Sequence, residues 1–162
     1  MMTTENEKTV QSIIEIRLNM DKLLNSFKLL QPSREVSLAK TSLQFAFAWL
    51  GESMKLLGSE TPYVESNNPA SDKIEPQAEH TENDLEKEFS EIEYTQVAKV
   101  KLFRLKLKDI IDSIEQQKRN YGNNLEFNEL LQYVIKSATE AKFSFGWELG
   151  RIRDESNKPQ LS

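Results

Sequence analysis

The chain has no cysteine and only one histidine, His80, among its 162 residues. Without cysteine there is no disulfide, no thiolate nucleophile and no cysteine-ligated metal site. The sequence also has no glycine-rich phosphate loop, no HExxH metal motif and no nucleophile elbow. These absences predict a protein that is not an enzyme and that carries no metal and no cofactor.

Long apolar runs are missing as well. No stretch approaches the roughly 20 apolar residues that a membrane-spanning helix needs. The opening residues, MMTTENEKTV, are too polar to be a secretory signal. We therefore expect a cytoplasmic protein with no membrane partner.

The negative charge is concentrated in one segment. Residues 58–94 contain eleven acidic residues and two lysines, a net charge of −9, whereas the rest of the chain has 19 basic and 15 acidic residues, a net charge of +4. The remainder is therefore mildly basic although the overall charge is −5. An anionic ligand is compatible with this distribution.

A duplicated pattern is the strongest positive signal. The segment RLNMDKLLNSF, from Arg17 to Phe27, returns 87 residues later as RLKLKDIIDSI, and TSLQFAFAW, from Thr41 to Trp49, returns 98 residues later as TEAKFSFGW. The second copy has the same order of segments with a connector 11 residues longer. A repeat of this kind sets the architecture, so we expect two similar helical units.

Apolar spacing predicts the helices themselves. The first helix should cover about residues 5–29, with apolar residues alternately three and four positions apart on one stripe. Adding 87 to each stripe position again gives an apolar residue, and the ten positions are Ile13, Ile16, Met20, Leu23, Phe27, Val100, Phe103, Leu107, Ile110 and Ile114.

Proline, serine and glycine predict where the helices begin and end. Pro32 should end the first helix, and Ser33 should cap a second helix that lasts until Gly58. A third helix should start between residues 84 and 91 and run to about 118, and a fourth should follow a turn at 120–124 and end near 153. The predicted buried seam of the second helix is Leu43, Phe47, Leu50, Met54 and Leu57.

The sequence thus predicts an all-α fold of two tandem antiparallel helical hairpins, with four main helices. Residues 1–57 would form the first hairpin and residues 85–155 the second, followed by a polar tail at 156–162. Residues 58–84 are rich in proline and acidic residues and poor in apolar ones, so they are predicted to be a flexible acidic linker.

Large aromatic residues occur off the predicted seam in both copies. Phe45 and Trp49 should point away from the partner helix that Phe47 faces, and Phe143 and Trp147 repeat the arrangement. Two explanations remain open for these rings. They pack hairpin against hairpin or chain against chain, or they stack on a planar ligand such as a nucleobase.

Basic residues at equivalent positions also suggest a ligand. Arg17 and Arg104 lie at the margin of the first-helix stripe in each copy, where either would form an ion pair with a nearby glutamate or clamp a phosphate. Further donors would come from Lys40 and Thr41, and from Lys136 and Thr139. Glu148 falls on the apolar seam of the last helix and is expected to pair with a basic neighbour.

The segment PSREVSLAKTSLQFAFAWLG, from Pro32 to Gly51, resembles the hairpin domain of phage anti-CBASS and anti-Thoeris sponge proteins. The matching residues are Pro32, Ser33, Arg34, Glu35, Ser37, Leu38, Ala39, Thr41, Leu43, Trp49, Leu50 and Gly51. The resemblance implies a helical hairpin that oligomerises and binds cyclic nucleotide signals without cleaving them, in pockets between protomers. The second copy has no Pro-Ser-Arg-Glu.

From the residues and the resemblance together we expect a non-catalytic sponge in the cytoplasm of an infected bacterial host. Its ligand would be a cyclic oligonucleotide or a cyclic ADP-ribose-type molecule, and the chain would form a homodimer or homotrimer. The expected ligand-binding residues are Arg17, Arg34, Lys40, Thr41, Arg104, Lys136 and Thr139, with Phe45, Trp49, Phe143 and Trp147 as packing or stacking residues.

One alternative is a helical oligomeric protein that binds a protein partner through its aromatic faces, with no small ligand. Nucleic acid is not expected as a partner, because the basic residues form no dense stripe.

Overall fold

The computed structural model of the chain describes residues 4–58, 84–92, 94–120 and 124–157, and it is all-helical over these residues. This confirms the all-α part of the predicted fold. Nearly all of the predicted linker and most of the polar tail lie outside the described residues. The described residues form five α-helices, which are α1 (Thr4–Asn25), α2 (Arg34–Leu56), α3 (Asp84–Glu91), α4 (Gln96–Asn120) and α5 (Leu125–Ser156). A 3-10 turn, Ser26–Leu29, extends α1.

The predicted boundaries of α2 are confirmed. Ser33 precedes the helix in extended conformation, and its hydroxyl accepts a hydrogen bond from the backbone N–H of Val36 at 3.0 Å. At the other end Gly58 has φ of 93°, a conformation that favours glycine, and its N–H donates to the carbonyl of Lys55 at 3.0 Å. Serine and glycine therefore fix both ends of α2.

The prediction of one long third helix is wrong, because α3 ends at Glu91 and α4 begins only at Gln96. The hydroxyl of Thr95 caps α4 by accepting a hydrogen bond from the N–H of Ala98 at 3.1 Å. The short α3 buries Leu85 and Phe89, which are one helical turn apart. It therefore packs on the core, close to α1, and does not extend α4.

The four long helices surround one core. α5 packs on both α2 and α4, α1 packs on α2 and α4, and the contact between α2 and α5 is the most extensive. Ser33 before α2 reaches Glu148 late in α5, whereas Trp49 late in α2 stacks on Tyr133 early in α5. These contacts show that α2 and α5 run antiparallel. No helix among the described residues has the length and apolar character needed to cross a membrane.

The predicted core positions are confirmed. All ten repeated stripe residues, which lie on α1, the following 3-10 turn and α4, are buried. The five predicted seam residues, on α2 and at Leu57, which follows it, are buried as well. At the centre Phe103 contacts the rings of Phe27, Phe89 and Phe145, with ring centroids 4.8–5.3 Å apart. The core is therefore shared by the two copies of the repeat.

The aromatic cluster gives a direct test of this shared core. Phe103→Ala should lower the free energy of unfolding by about 3–5 kcal/mol, because it leaves a cavity among three other rings. Leu105→Ala is the matched control, since Leu105 lies on the same helix but is exposed, and it should change stability by less than about 0.5 kcal/mol. Urea unfolding measures both, and equal losses would contradict the packing described.

Candidate functional site

Small side chains line the seam between α2 and α5. Ala39, Ala46 and Ser53 are fully buried, seven residues apart, and each lies one turn from a residue that contacts α5, namely Glu35 or Trp49. On α5, Ser144 and Ala141 are buried one and two turns before Glu148. Small residues on both sides allow the two backbones to approach closely, which accounts for the extensive contact between these helices.

Large apolar side chains lie on the outer side of this seam. On α2 these side chains lie along one side of the helix, at spacings of seven, four and seven residues. On α5 two of them repeat the four-residue spacing. We call this surface the aromatic face. Its seven residues are exposed by 37–63%, and they are Leu38, Phe45, Trp49, Leu56, Tyr133, Phe143 and Trp147.

One ring contact joins the two halves of the aromatic face. The rings of Trp49 and Tyr133 are stacked, with centroids 4.9 Å apart and an interplanar angle of 28°. Sequence reasoning did not identify Tyr133, because its position corresponds to Glu35 in the first copy and the repeat gave no aromatic signal there. The contact makes the aromatic face continuous across α2 and α5.

Several of the predicted polar ligands border the aromatic face. Arg34 and Lys136 are exposed and lie on the lines of Phe45 and Phe143, eleven and seven residues away. Thr41 and Thr139 lie one turn before the same two rings, and the Thr41 hydroxyl donates to the carbonyl of Ser37 at 3.1 Å. By helical spacing these four polar residues lie next to the four predicted aromatic residues on α2 and α5.

Lys40 is exposed on α2 but does not lie on the aromatic face. It precedes Phe45 by five residues, and five residues turn an α-helix by about 140°. Its side chain therefore leaves the helix on nearly the opposite side.

Arg17 lies inside the bundle with 1% of its surface exposed. Its Nη2 donates to the carbonyl of Phe47 at 3.3 Å, and its guanidinium carbon is 3.8 Å from the centroid of the Phe47 ring. The guanidinium thus contacts the backbone and an aromatic ring of α2. Its role as a phosphate clamp stays a prediction. The side chain has almost no solvent-accessible surface.

Arg104, the repeat equivalent of Arg17, is exposed on α4. The two arginines differ in burial because the equivalent rings Phe47 and Phe145 pack in different places. Phe47 packs against Arg17, whereas its equivalent, Phe145, packs against Phe27 and Phe103 with centroids 5.7 and 5.3 Å away. Phe145 is thus engaged in the core, and Arg104 belongs to a different helix from the aromatic face.

A buried carboxylate connects the loop before α2 to the end of α5. Glu148 is fully buried; its Oε2 accepts from the Ser33 hydroxyl at 2.5 Å, and its Oε1 accepts from Arg151 Nε at 2.7 Å and from Arg151 Nη2. This confirms the expected pairing of Glu148 with a basic neighbour. Arg151 also approaches Glu35 at 3.6 Å and bonds Glu155 at 3.0 Å. Its hydrogen bond to Glu148 raises the pKa of Arg151.

A concave region lies between α1, α3 and α4. It is a cleft of about 300 Å³ with a buried apolar floor that includes Ile16 and Ile110. Lys106 crosses it to form an ion pair with Glu88 at 2.8 Å, and the remaining charged walls are Lys22 and Asp109. The charges balance, so the cleft has no net attraction for an anion. Among the described residues no cluster of three or more potential metal ligands occurs.

Comparisons with known proteins gave no match for this chain, whether with family models, with curated proteins or with solved structures.

The double role of Ser33 can be measured. Ser33→Ala removes the cap of α2, worth about 1 kcal/mol, and also the donor to buried Glu148, worth about 1–3 kcal/mol. Asn124→Ala is the control, because Asn124 caps α5 in the same way, by accepting from the N–H of Phe127 at 3.0 Å. Urea unfolding should show a loss for Ser33→Ala at least twice that for Asn124→Ala. Equal losses would show that the hydrogen bond from Ser33 to Glu148 does not stabilise the protein.

Substitution of the two equivalent arginines should lower the stability of the protein by different amounts. Arg17→Ala should cost about 2 kcal/mol or more, since it empties buried volume and leaves the Phe47 carbonyl without this donor. Arg104→Ala should cost less than about 0.5 kcal/mol, as for other exposed positions. Thermal or urea unfolding of both variants provides the comparison, and a small effect for Arg17→Ala would contradict its buried placement.

Proposed function

We propose that the chain is a non-catalytic sponge that sequesters a cyclic nucleotide messenger, and that it binds the ligand on the aromatic face. The observation that supports this most is the grouping of Arg34, Thr41, Lys136 and Thr139 beside four exposed aromatic rings. A cyclic nucleotide presents bases that stack on rings and phosphates that accept from cations and hydroxyls. The face offers both kinds of group on two adjacent helices.

The energetics suit binding without catalysis. Stacking of a base on an aromatic side chain is worth about 1–3 kcal/mol, and each charge-assisted hydrogen bond to a phosphate about 1.5–3 kcal/mol. A few such contacts would reach micromolar affinity or better, which needs about 8 kcal/mol. Nothing in this chemistry calls for a nucleophile, a metal or a general base.

The tandem hairpin arrangement is part of the proposal. In this interpretation α1 with α2, and α4 with α5, are two copies of a hairpin that resembles the sponge domain. The seam between α2 and α5 then corresponds to a contact between protomers in single-hairpin relatives, where the resemblance implies the pockets lie. A cytoplasmic homo-oligomer in an infected bacterium remains the proposed setting.

A second candidate function is supported by the apolar character of the same face. Seven large apolar side chains are exposed there, including two tryptophans and a tyrosine, and these residue types carry much of the energy in protein interfaces. A protein partner that covers the face would need no small ligand.

One experiment separates the two candidates. The purified protein is incubated with a panel of cyclic dinucleotides, cyclic trinucleotides and cyclic ADP-ribose isomers, and its thermal shift is recorded. The protein is then denatured by heat and the released ligand is analysed. A shift with intact ligand supports the sponge, a degraded ligand indicates an enzyme, and the absence of any shift favours the protein partner.

Variants test which residues hold the ligand. For any nucleotide that gives a thermal shift, Trp147→Ala should lower the affinity by about tenfold or more, because it removes the most exposed ring of the face. Arg34→Ala should have a similar effect through loss of a phosphate contact. Isothermal titration calorimetry gives the affinities.

Arg104→Ala serves as the discriminating variant for the same titration. It should leave affinity unchanged if the aromatic face holds the phosphates. A tenfold loss on Arg104→Ala, with no effect of Trp147→Ala, would move the site to α4 and contradict the proposed location.

A further inference from the structure

We infer that a second copy of this chain covers the aromatic face, so that α2 and α5 of one copy pack on α2 and α5 of the other about a two-fold axis. The inference names the partner of the face on which the proposed function rests. It concerns the protein without ligand, and so it can be tested separately from nucleotide binding.

The area of the face is close to what a stable dimer needs. Taking about 200 Å² for each large side chain, the exposed fractions of the seven residues leave roughly 700 Å² of apolar surface open to solvent. A standard protein interface buries about 800 Å² on each partner. The bordering polar residues supply the small remainder, so one copy is enough to cover the face.

The composition of the face resembles the centre of an interface. Trp49, Trp147 and Tyr133 belong to the residue types that are most enriched among interface hot spots. Trp49 is held in place by its stacking on Tyr133, so it loses little conformational freedom on binding. The ring is thus already ordered for contact with a partner.

Exposed charges of both signs border the face. On α2, Arg34 and Glu52 lie 18 residues apart, which is five full turns, so they mark the two ends of one line. On α5, Lys136 and Asp154 are also 18 residues apart on one line. All four side chains are exposed.

The contacts Ser33–Glu148 and Trp49–Tyr133 set the register of the two antiparallel helices. In that register Lys136 is level with the middle of α2, and Asp154 lies beyond its start. The border of the face therefore offers both cations and anions to a second copy of the chain.

The first test is the oligomeric state of the full chain without nucleotide. Sedimentation velocity from low to high micromolar concentration should show a monomer–dimer equilibrium. The double variant Phe45→Glu with Phe143→Glu should weaken dimerisation by at least tenfold, since it places like charges at the centre of the face in both copies. A wild-type chain that stays monomeric throughout would overturn the inference.

The matched control is Leu18→Glu with Leu105→Glu. These leucines are also repeat equivalents and exposed, but they belong to α1 and α4. The control should dimerise as the wild type does. A dimer that survives the phenylalanine substitutions and is broken by the leucine substitutions would place the interface elsewhere and reject the inference.

A mixing experiment tests self-pairing without assuming a register. Chains with Phe45→Lys and Phe143→Lys should be monomeric alone, as should chains with the two glutamates. Mixed in equal amounts, the two variants should form a heterodimer, because an all-acidic face then meets an all-basic one. Circular dichroism checks that all variants remain helical. Failure of the mixture to dimerise while the wild type does would contradict face-to-face pairing.

The outcomes separate this inference from the proposed function. A dimer that fails to bind any cyclic nucleotide supports the inference and rejects the sponge. A monomer that binds one intact does the reverse.

Discussion

The close packing of α2 against α5 is the constraint on which the rest of the structure depends. Ala39, Ala46 and Ser53 are small enough for the α5 backbone to approach α2. Most large residues of both helices lie to either side of this seam, in the core or on the outer surface. The same constraint therefore produces both the shared core and the aromatic face.

The repeat is preserved in the core and broken at the polar contacts. Equivalent stripe residues of α1 and α4 are buried in both copies. By contrast, Leu50 of the first copy corresponds to Glu148 of the second, and this carboxylate reaches the Ser33 hydroxyl and Arg151. The polar contacts tie the loop of one copy to the last helix of the other. They fix the alignment of α2 and α5, since a shift of either helix would leave a buried carboxylate without its donors.

Periodicity made much of the fold predictable. Apolar residues three and four positions apart predict the buried side of a helix, and Ser33 and Gly58 predict the two ends of α2. Both signals are local, so the sequence shows them directly. The separate α3 was missed because residues 84–91 are mostly acidic and polar, and only Leu85 and Phe89 face the core. Two apolar residues one turn apart are too weak a pattern to separate a short helix from the start of the next one.

The site was predictable where it depends on the helix period and not where it depends on neighbours from other helices. The outward direction of Phe45, Trp49, Phe143 and Trp147 follows from their spacing. The burial of Arg17 depends on the ring of Phe47, and the stacking of Trp49 depends on Tyr133. Such contacts between helices leave no periodic signal in the sequence.

If the aromatic face is the surface that binds a second copy or a nucleotide, tryptophan fluorescence should show it most directly. The chain has two tryptophans, Trp49 and Trp147, and both lie on this face. Acrylamide quenching should be strong in dilute protein and should fall, with a blue shift of emission, when protein concentration rises or a bound nucleotide is added. Quenching that stays equally strong while the chain associates or binds a ligand would show that the working surface lies elsewhere.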